Sequence, residues 1–175
     1  MSNFLKVLPL TIENEGGYIL HEIEGDKGGR TFAGIAENFW SDWEGWDMID
    51  DGVAWDNPRL VKSVELFYKK NFWDVQNLDL ISDPKTAYTV FDFCMNVGSR
   101  TGARLAQKAC GAKPDGRIGP KTAEALNSMD PEMFDKQFAL EKMYRYAAIV
   151  RRDQSQAKFI GGWARRTEEV EKTKL

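Results

Sequence analysis

Histidine is nearly missing from this 175-residue chain, where His21 stands alone, and cysteine occurs twice, at Cys94 and Cys110. One histidine and two cysteines cannot build a usual zinc ligand set, so no metal is expected. Two cysteines also cannot form the disulfide framework of a small secreted domain. Nothing near His21 supports a nucleophile elbow, which argues against Ser-His-Asp chemistry. No stretch approaches the ~20 apolar residues that span a bilayer, so stable membrane insertion is not expected. Charge of neither sign dominates: 24 Lys plus Arg stand against 27 Asp plus Glu, a net −3. A dedicated nucleic-acid binder would be clearly basic. Glycine and proline, 15 and 6 residues, hold an ordinary share, which excludes low complexity. The opening Met1-Ser2-Asn3-Phe4-Leu5-Lys6 lacks the basic start and apolar core of a signal peptide.

What is present points to a folded, mostly helical chain. Apolar residues make up 42% and charged residues 29%, a composition that excludes intrinsic disorder. The length suits one domain or one with a small appendage. Asn57-Pro58, Asp83-Pro84 and Asp130-Pro131 each set a capping side chain before a proline at the first helical position. Behind them run Leu60, Val61, Val64, Phe67, Tyr68, Asn71 and Phe72, then Ala87, Val90, Phe91, Cys94 and Met95, then Phe134, Phe138, Leu140, Met143, Tyr144 and Ala147. Their spacing by three and four predicts three helices. Shorter helices are expected over 100–110, 119–128 and 162–172. An N-terminal helix from Phe4 should stop at Gly16-Gly17, with Pro9 distorting it or beginning part of it. Both cysteines fall on apolar helical faces and are expected to be buried free thiols.

Between Gly17 and Ile35 the pattern changes. Tyr18-Ile19-Leu20 and Arg30-Thr31-Phe32 flank Gly25-Asp26-Lys27-Gly28-Gly29, which reads as a small β-hairpin among helices. Four of six tryptophans, Trp40, Trp43, Trp46 and Trp55, crowd the acidic loop or short-helix region that follows; such rings stack on sugars but also fill cores. The expected architecture is mainly α, a helical bundle with a small N-terminal β-hairpin, arranged as lobes 1–80 and 81–175 packed as one compact unit.

The hairpin region also carries the chemistry. Glu15 stands at a helix end, Asp26 in a tight turn and Thr31 on the returning strand, all within 17 positions. Cleaving a glycosidic bond needs a proton for the leaving oxygen and a group that deals with the oxocarbenium-like centre. A glutamic acid in a partly apolar setting can supply the first. A carboxylate and hydroxyl that hold a water can supply the second. Residue types alone also allow a plain helix end followed by a plain hairpin loop.

The ordered set Glu15-Gly16-Gly17-Tyr18, Asp26-x-Gly28-Gly29-x-Thr31 and Gly34-Ile35 resembles the signature of glycoside hydrolase family 108. Phe91-Asp92-x3-Asn96-x-Gly98 resembles that family's helix motif, and Asp115-Gly116-Arg117-Ile118-Gly119-Pro120-x-Thr122 its C-terminal peptidoglycan-binding-type region. Gly161-Gly162-Trp163-x-Arg165-Arg166 resembles its closing element. The resemblance spans nearly the whole chain. The stretch Ile19 to Glu24 departs from it, standing where the family more often shows an Asn-Asp-Pro-rich segment.

The family's members are N-acetylmuramidases, known as phage endolysins and secretion-activator-type proteins. The resemblance therefore implies an α+β lysozyme-like fold and a lysozyme activity (EC 3.2.1.17), with no cofactor. Its partner would be bacterial peptidoglycan. By likeness to phage-type lysozymes, Glu15 would protonate the departing oxygen while Asp26 and Thr31 position a water for inversion, with Glu22 or Glu24 as alternative partners. Tyr18, Gly34, Trp40 and Asn96 are the expected substrate-binding residues. A lytic transglycosylase and a non-catalytic wall-binding protein are the rival readings. The expected setting is a monomer held in the host cytoplasm before lysis and acting at the periplasmic wall, or exported by another route.

Overall fold

The computed structural model describes residues 2–22 and 27–175. Eight α-helices and a three-stranded antiparallel sheet are found among them. The chain divides into a smaller unit, Phe4–Asn71, and a larger one of residues 1–3 with Phe72–Leu175. No described helix is long and apolar enough to cross a membrane.

In the smaller unit, α1 (Asn3–Asn14) buries Phe4, Val7, Leu8, Thr11 and Ile12, one face at helical spacing. Pro9 lies inside this helix, where its missing N–H leaves one rung of the ladder open. Strands β1 (Leu20–His21), β2 (Thr31–Phe32) and β3 (Ile35–Ala36) pair in sequence order. The register sets Phe32 opposite Leu20 and Ile35, and Thr31 opposite His21 and Ala36. Phe32 and Ile35 thus bury one face, while Thr31 belongs to the other. The sequence predicts the hairpin of β1 and β2 but not β3, which is added by the Phe32–Ile35 pairing without a turn cluster to announce it. The acidic, tryptophan-rich segment forms α2 (Gly45–Asp50). Helix α3 (Pro58–Tyr68) starts as expected, with the Arg59 amide donating to the Asn57 side chain at 2.9 Å. The aromatic residues then knit the unit together. Trp43 and Trp46 are buried and meet edge to face at 5.3 Å between centroids, and Phe32 stacks on Trp43 at 6.2 Å. Trp55 remains exposed.

In the larger unit, α4 (Pro84–Val97) is capped by Asp83, which accepts from the Thr86 amide at 2.7 Å. Helix α5 (Ser99–Ala109) follows directly after Gly98, and Gly102 lets it approach α4. A Cβ there would lie 2.6 Å from Cys94 Sγ. Then come α6 (Pro120–Ser128), α7 (Pro131–Arg152) and α8 (Ile160–Lys172). Asp130 caps α7 by accepting from Met133 N at 2.9 Å. Phe91, Phe93, Phe134, Phe138 and Trp73 fill the core. One thiol corrects the sequence reading: Cys94 is buried, but Cys110, at the end of α5, is only half-buried. Burial pushes the Cys94 thiol up to about 12, opposed by a backbone hydrogen bond from Ala103.

The turn cluster around Asp115 is organised by one side chain. Gln107, 1% exposed, donates from Nε2 to Asp115 Oδ1 at 2.8 Å, Arg117 O at 3.0 Å and Thr122 Oγ1 at 3.1 Å. Its Oε1 accepts from Gly116 N at 2.8 Å. Gln107→Ala strands two buried polar groups, the Gly116 amide and the Thr122 hydroxyl, each costing ~1–3 kcal/mol. Urea denaturation should therefore show at least about 2 kcal/mol lost; a loss below about 1 kcal/mol would contradict this account of the loop.

Candidate active site

Glu15 is placed by the way α1 ends. The Gly17 amide donates to Ile12 O at 2.8 Å and the Gly16 amide to Glu13 O at 3.1 Å. These are the two crossed bonds of a Schellman ending, with Gly16 at φ +92° as its left-handed residue. Glu15 is the last residue before the reversal, half-buried, its own amide bonded to Thr11 O at 3.0 Å. The sequence Glu-Gly-Gly thus fixes where the carboxyl leaves the helix.

The second component is the turn between β2 and β3. The Phe32–Ile35 pairing leaves Ala33 and Gly34 as a two-residue loop, at φ +48° and +79°. Positive φ at both positions matches the twist of a tight hairpin, and glycine suits the second. Alanine at the first costs about 1–2 kcal/mol. Tyr68, buried at the end of α3, supports this strained peptide by donating its hydroxyl to Ala33 O at 2.7 Å.

Helix end, turn and tyrosine converge at Gly34. A Cβ on Gly34 would stand 2.5 Å from Tyr68 Oη and 2.9 Å from both Cγ and Oε2 of Glu15. Only a residue without a side chain lets the carboxyl and the phenol close over this turn. Below the hairpin, Arg30 makes an ion pair with Glu37 at 2.6 Å and with Asp50 of α2 at 2.6 Å. That pairing holds the Glu37 carboxyl below its ordinary range.

The other expected site residues fall as follows. Asp26, and with it Glu24, lies outside the described residues. Thr31 is half-buried on β2, its hydroxyl donating to Gly29 O at 3.4 Å. Tyr18 tilts against Phe32 at 6.2 Å; burial first, and then the charge of Glu65, raises its phenol above the ordinary value. Trp40 is half-buried and meets Phe67 edge to face at 4.9 Å. It lines a groove of about 330 Å³ with Asp42, Glu44, Lys70 and Asn71. Asn96 is an exposed residue of the larger unit, where its amide donates to Asp92 O at 2.7 Å. Glu15, Gly34 and the hairpin turn are therefore brought together in the smaller unit; Asn96 lies in the larger unit beside Asp92.

Tyr68 and Arg30 escape the sequence reading as site-building residues. Tyr68 reads there as one more position on an apolar helix face. Its signal is the hydroxyl itself, since a buried tyrosine needs an acceptor.

Among curated proteins none matches the chain. In fold it is similar to the structure of Brucella abortus SagA, with a TM-score of 0.69 and 24% identity over 96% of this chain and 91% of that one. The profile described as "Predicted Peptidoglycan domain" matches residues 101–168. The profile of Glycosyl hydrolase 108 matches residues 8–98, more than half of the chain and the whole of the Glu15–Gly34 constellation. The chain therefore belongs to the glycosyl hydrolase 108 family and is a peptidoglycan-degrading glycosidase.

Proposed function

We propose that the chain is an N-acetylmuramidase that hydrolyses the β-1,4 bond between N-acetylmuramic acid and N-acetylglucosamine, with Glu15 as the general acid. The supporting observation is the Glu15 carboxyl held over Gly34 beside the Tyr68 hydroxyl. A general acid acts by protonating the leaving oxygen as the glycosidic bond lengthens, and its carboxyl must be fixed before the sugar arrives. The Schellman ending fixes the backbone of Glu15, and the side-chain-free turn gives its carboxyl room.

In this reading Asp26 and Thr31 hold the attacking water on the opposite face of the ring. Water adds to the anomeric carbon, its proton passes to the turn carboxylate, and the configuration inverts. The product is a reducing muramic acid end.

Mass spectrometry of digested peptidoglycan tests the reaction class. Each cut should add one water, and NMR of the fresh product should show the α-anomer. Anhydro ends, one water lighter, would replace hydrolysis by a transglycosylase reaction. Binding to wall material without any cut would leave a wall-binding protein.

A further inference from the structure

Outside the Glu15 constellation, a pocket of about 360 Å³ opens in the larger unit among α4, α7 and α8. One wall is the aromatic pair Tyr146 and Trp163, stacked at 4.9 Å and 26°. Lys142 also lines it, although the residue is only 2% exposed. Its ammonium lies over the rings of Phe138 at 4.6 Å and Phe93 at 5.0 Å, and the charges of Asp92 and Asp135 act on it. Arg145, on the next turn of α7, has a buried Nε with no acceptor.

The cations outnumber the anions here. Asp92 is the lining carboxylate, and it is already occupied: Arg166 Nη2 donates to it at 2.9 Å, and Asn96 Nδ2 at 3.4 Å. Asp135, which does not line the pocket, lies 3.9 Å from Lys85 and also acts on Lys142 by its charge. Among the residues that line the pocket, Lys142, Arg145 and Arg166 face a single carboxylate, Asp92. A buried guanidinium N–H without an acceptor, such as Arg145 Nε, is costly, and a ligand that supplies one removes that cost.

We propose that this pocket binds a carboxylate-bearing ligand, with Lys142 and Arg145 taking the carboxylate and the Tyr146–Trp163 pair covering its aliphatic chain. Resting on the peptidoglycan reading above, we assign the ligand to the peptide stem of that polymer, whose side branches end in free carboxylates. Two motifs of the sequence, Asp92-x3-Asn96 and Gly162-Trp163-x-x-Arg166, meet in this pocket.

Burial pushes the Lys142 ammonium down to about 8, with Lys85 and Arg166 adding to the effect and Asp92 and Asp135 opposing it. Carboxylate binding should therefore weaken as the pH rises through that value.

Isothermal titration of the full chain with the tripeptide L-alanyl-γ-D-glutamyl-diaminopimelate tests the site. The probe has no glycosidic bond, so Glu15→Gln should bind it as the wild type does, whatever becomes of the catalytic reading. Saturable binding is expected, weakened at least tenfold in Lys142→Met, in Arg145→Gln and for the fully amidated tripeptide. Free glutamate should bind at least tenfold more weakly than the tripeptide. Lys142→Met should melt no lower than the wild type. No binding, equal binding by Arg145→Gln, or a preference for inorganic phosphate over the tripeptide would each overturn the assignment. A lower melting temperature for Lys142→Met with full binding by Arg145→Gln would instead make the lysine a structural charge.

Discussion

Glu15→Gln should reduce the release of reducing ends from purified peptidoglycan by about 10³-fold or more, while the melting temperature stays within a degree or two of the wild type. Glutamine keeps the length and planar end of the side chain, so the close approach to Gly34 is preserved. It cannot transfer a proton to a leaving alkoxide, and general acid catalysis typically contributes about 10²–10⁴-fold. A glycosidic oxygen leaves poorly without that proton, which puts the expected loss toward the upper part of this range. Residual turnover within tenfold of the wild type, measured on folded protein, would remove Glu15 from the role of acid.

Gly34→Ala should be nearly as damaging, by a different route. The alanine Cβ would meet Tyr68 Oη at 2.5 Å and the Glu15 carboxyl at 2.9 Å, on a backbone at φ +79°. The conformational part alone costs about 1–2 kcal/mol. The steric part must move either the phenol, which would free the buried Ala33 carbonyl, or the carboxyl itself. Displacing a reacting group by about 1 Å can cost on the order of 10²-fold in rate. The expected result is a turnover number at least 100-fold lower together with a melting temperature several degrees lower. An active enzyme with an unchanged melt would mean that the turn is not the support for the acid that its contacts suggest.

These contacts explain which parts of the molecule could be read from residues alone. Asn57-Pro58, Asp83-Pro84 and Asp130-Pro131 carry their own instructions, because a cap and a fixed φ act within four residues. The helices they begin start where the sequence says. Glu15-Gly16-Gly17 is legible for the same reason, since its hydrogen bonds close within six residues. Tyr68 is different. Its hydroxyl bonds a carbonyl 35 positions earlier, and no local pattern announces such a partner. The same holds for Arg30 and Asp50, twenty positions apart, and for Asp92 and Arg166, 74 apart. Cys110 is half-buried against expectation because an apolar flank near a helix end does not tell whether the last turn faces the core or solvent.

The hairpin that carries Gly34 has strands of only two residues each. A ladder so brief cannot hold itself together. Its shape is borrowed from the rings of Phe32, Trp43 and Tyr68. Local opening of such a segment needs less free energy than global denaturation. Warming should therefore silence the enzyme before its helices melt, and cooling should restore it, so that heat tolerance of catalysis is set by a few aromatic side chains rather than by the bulk of the chain.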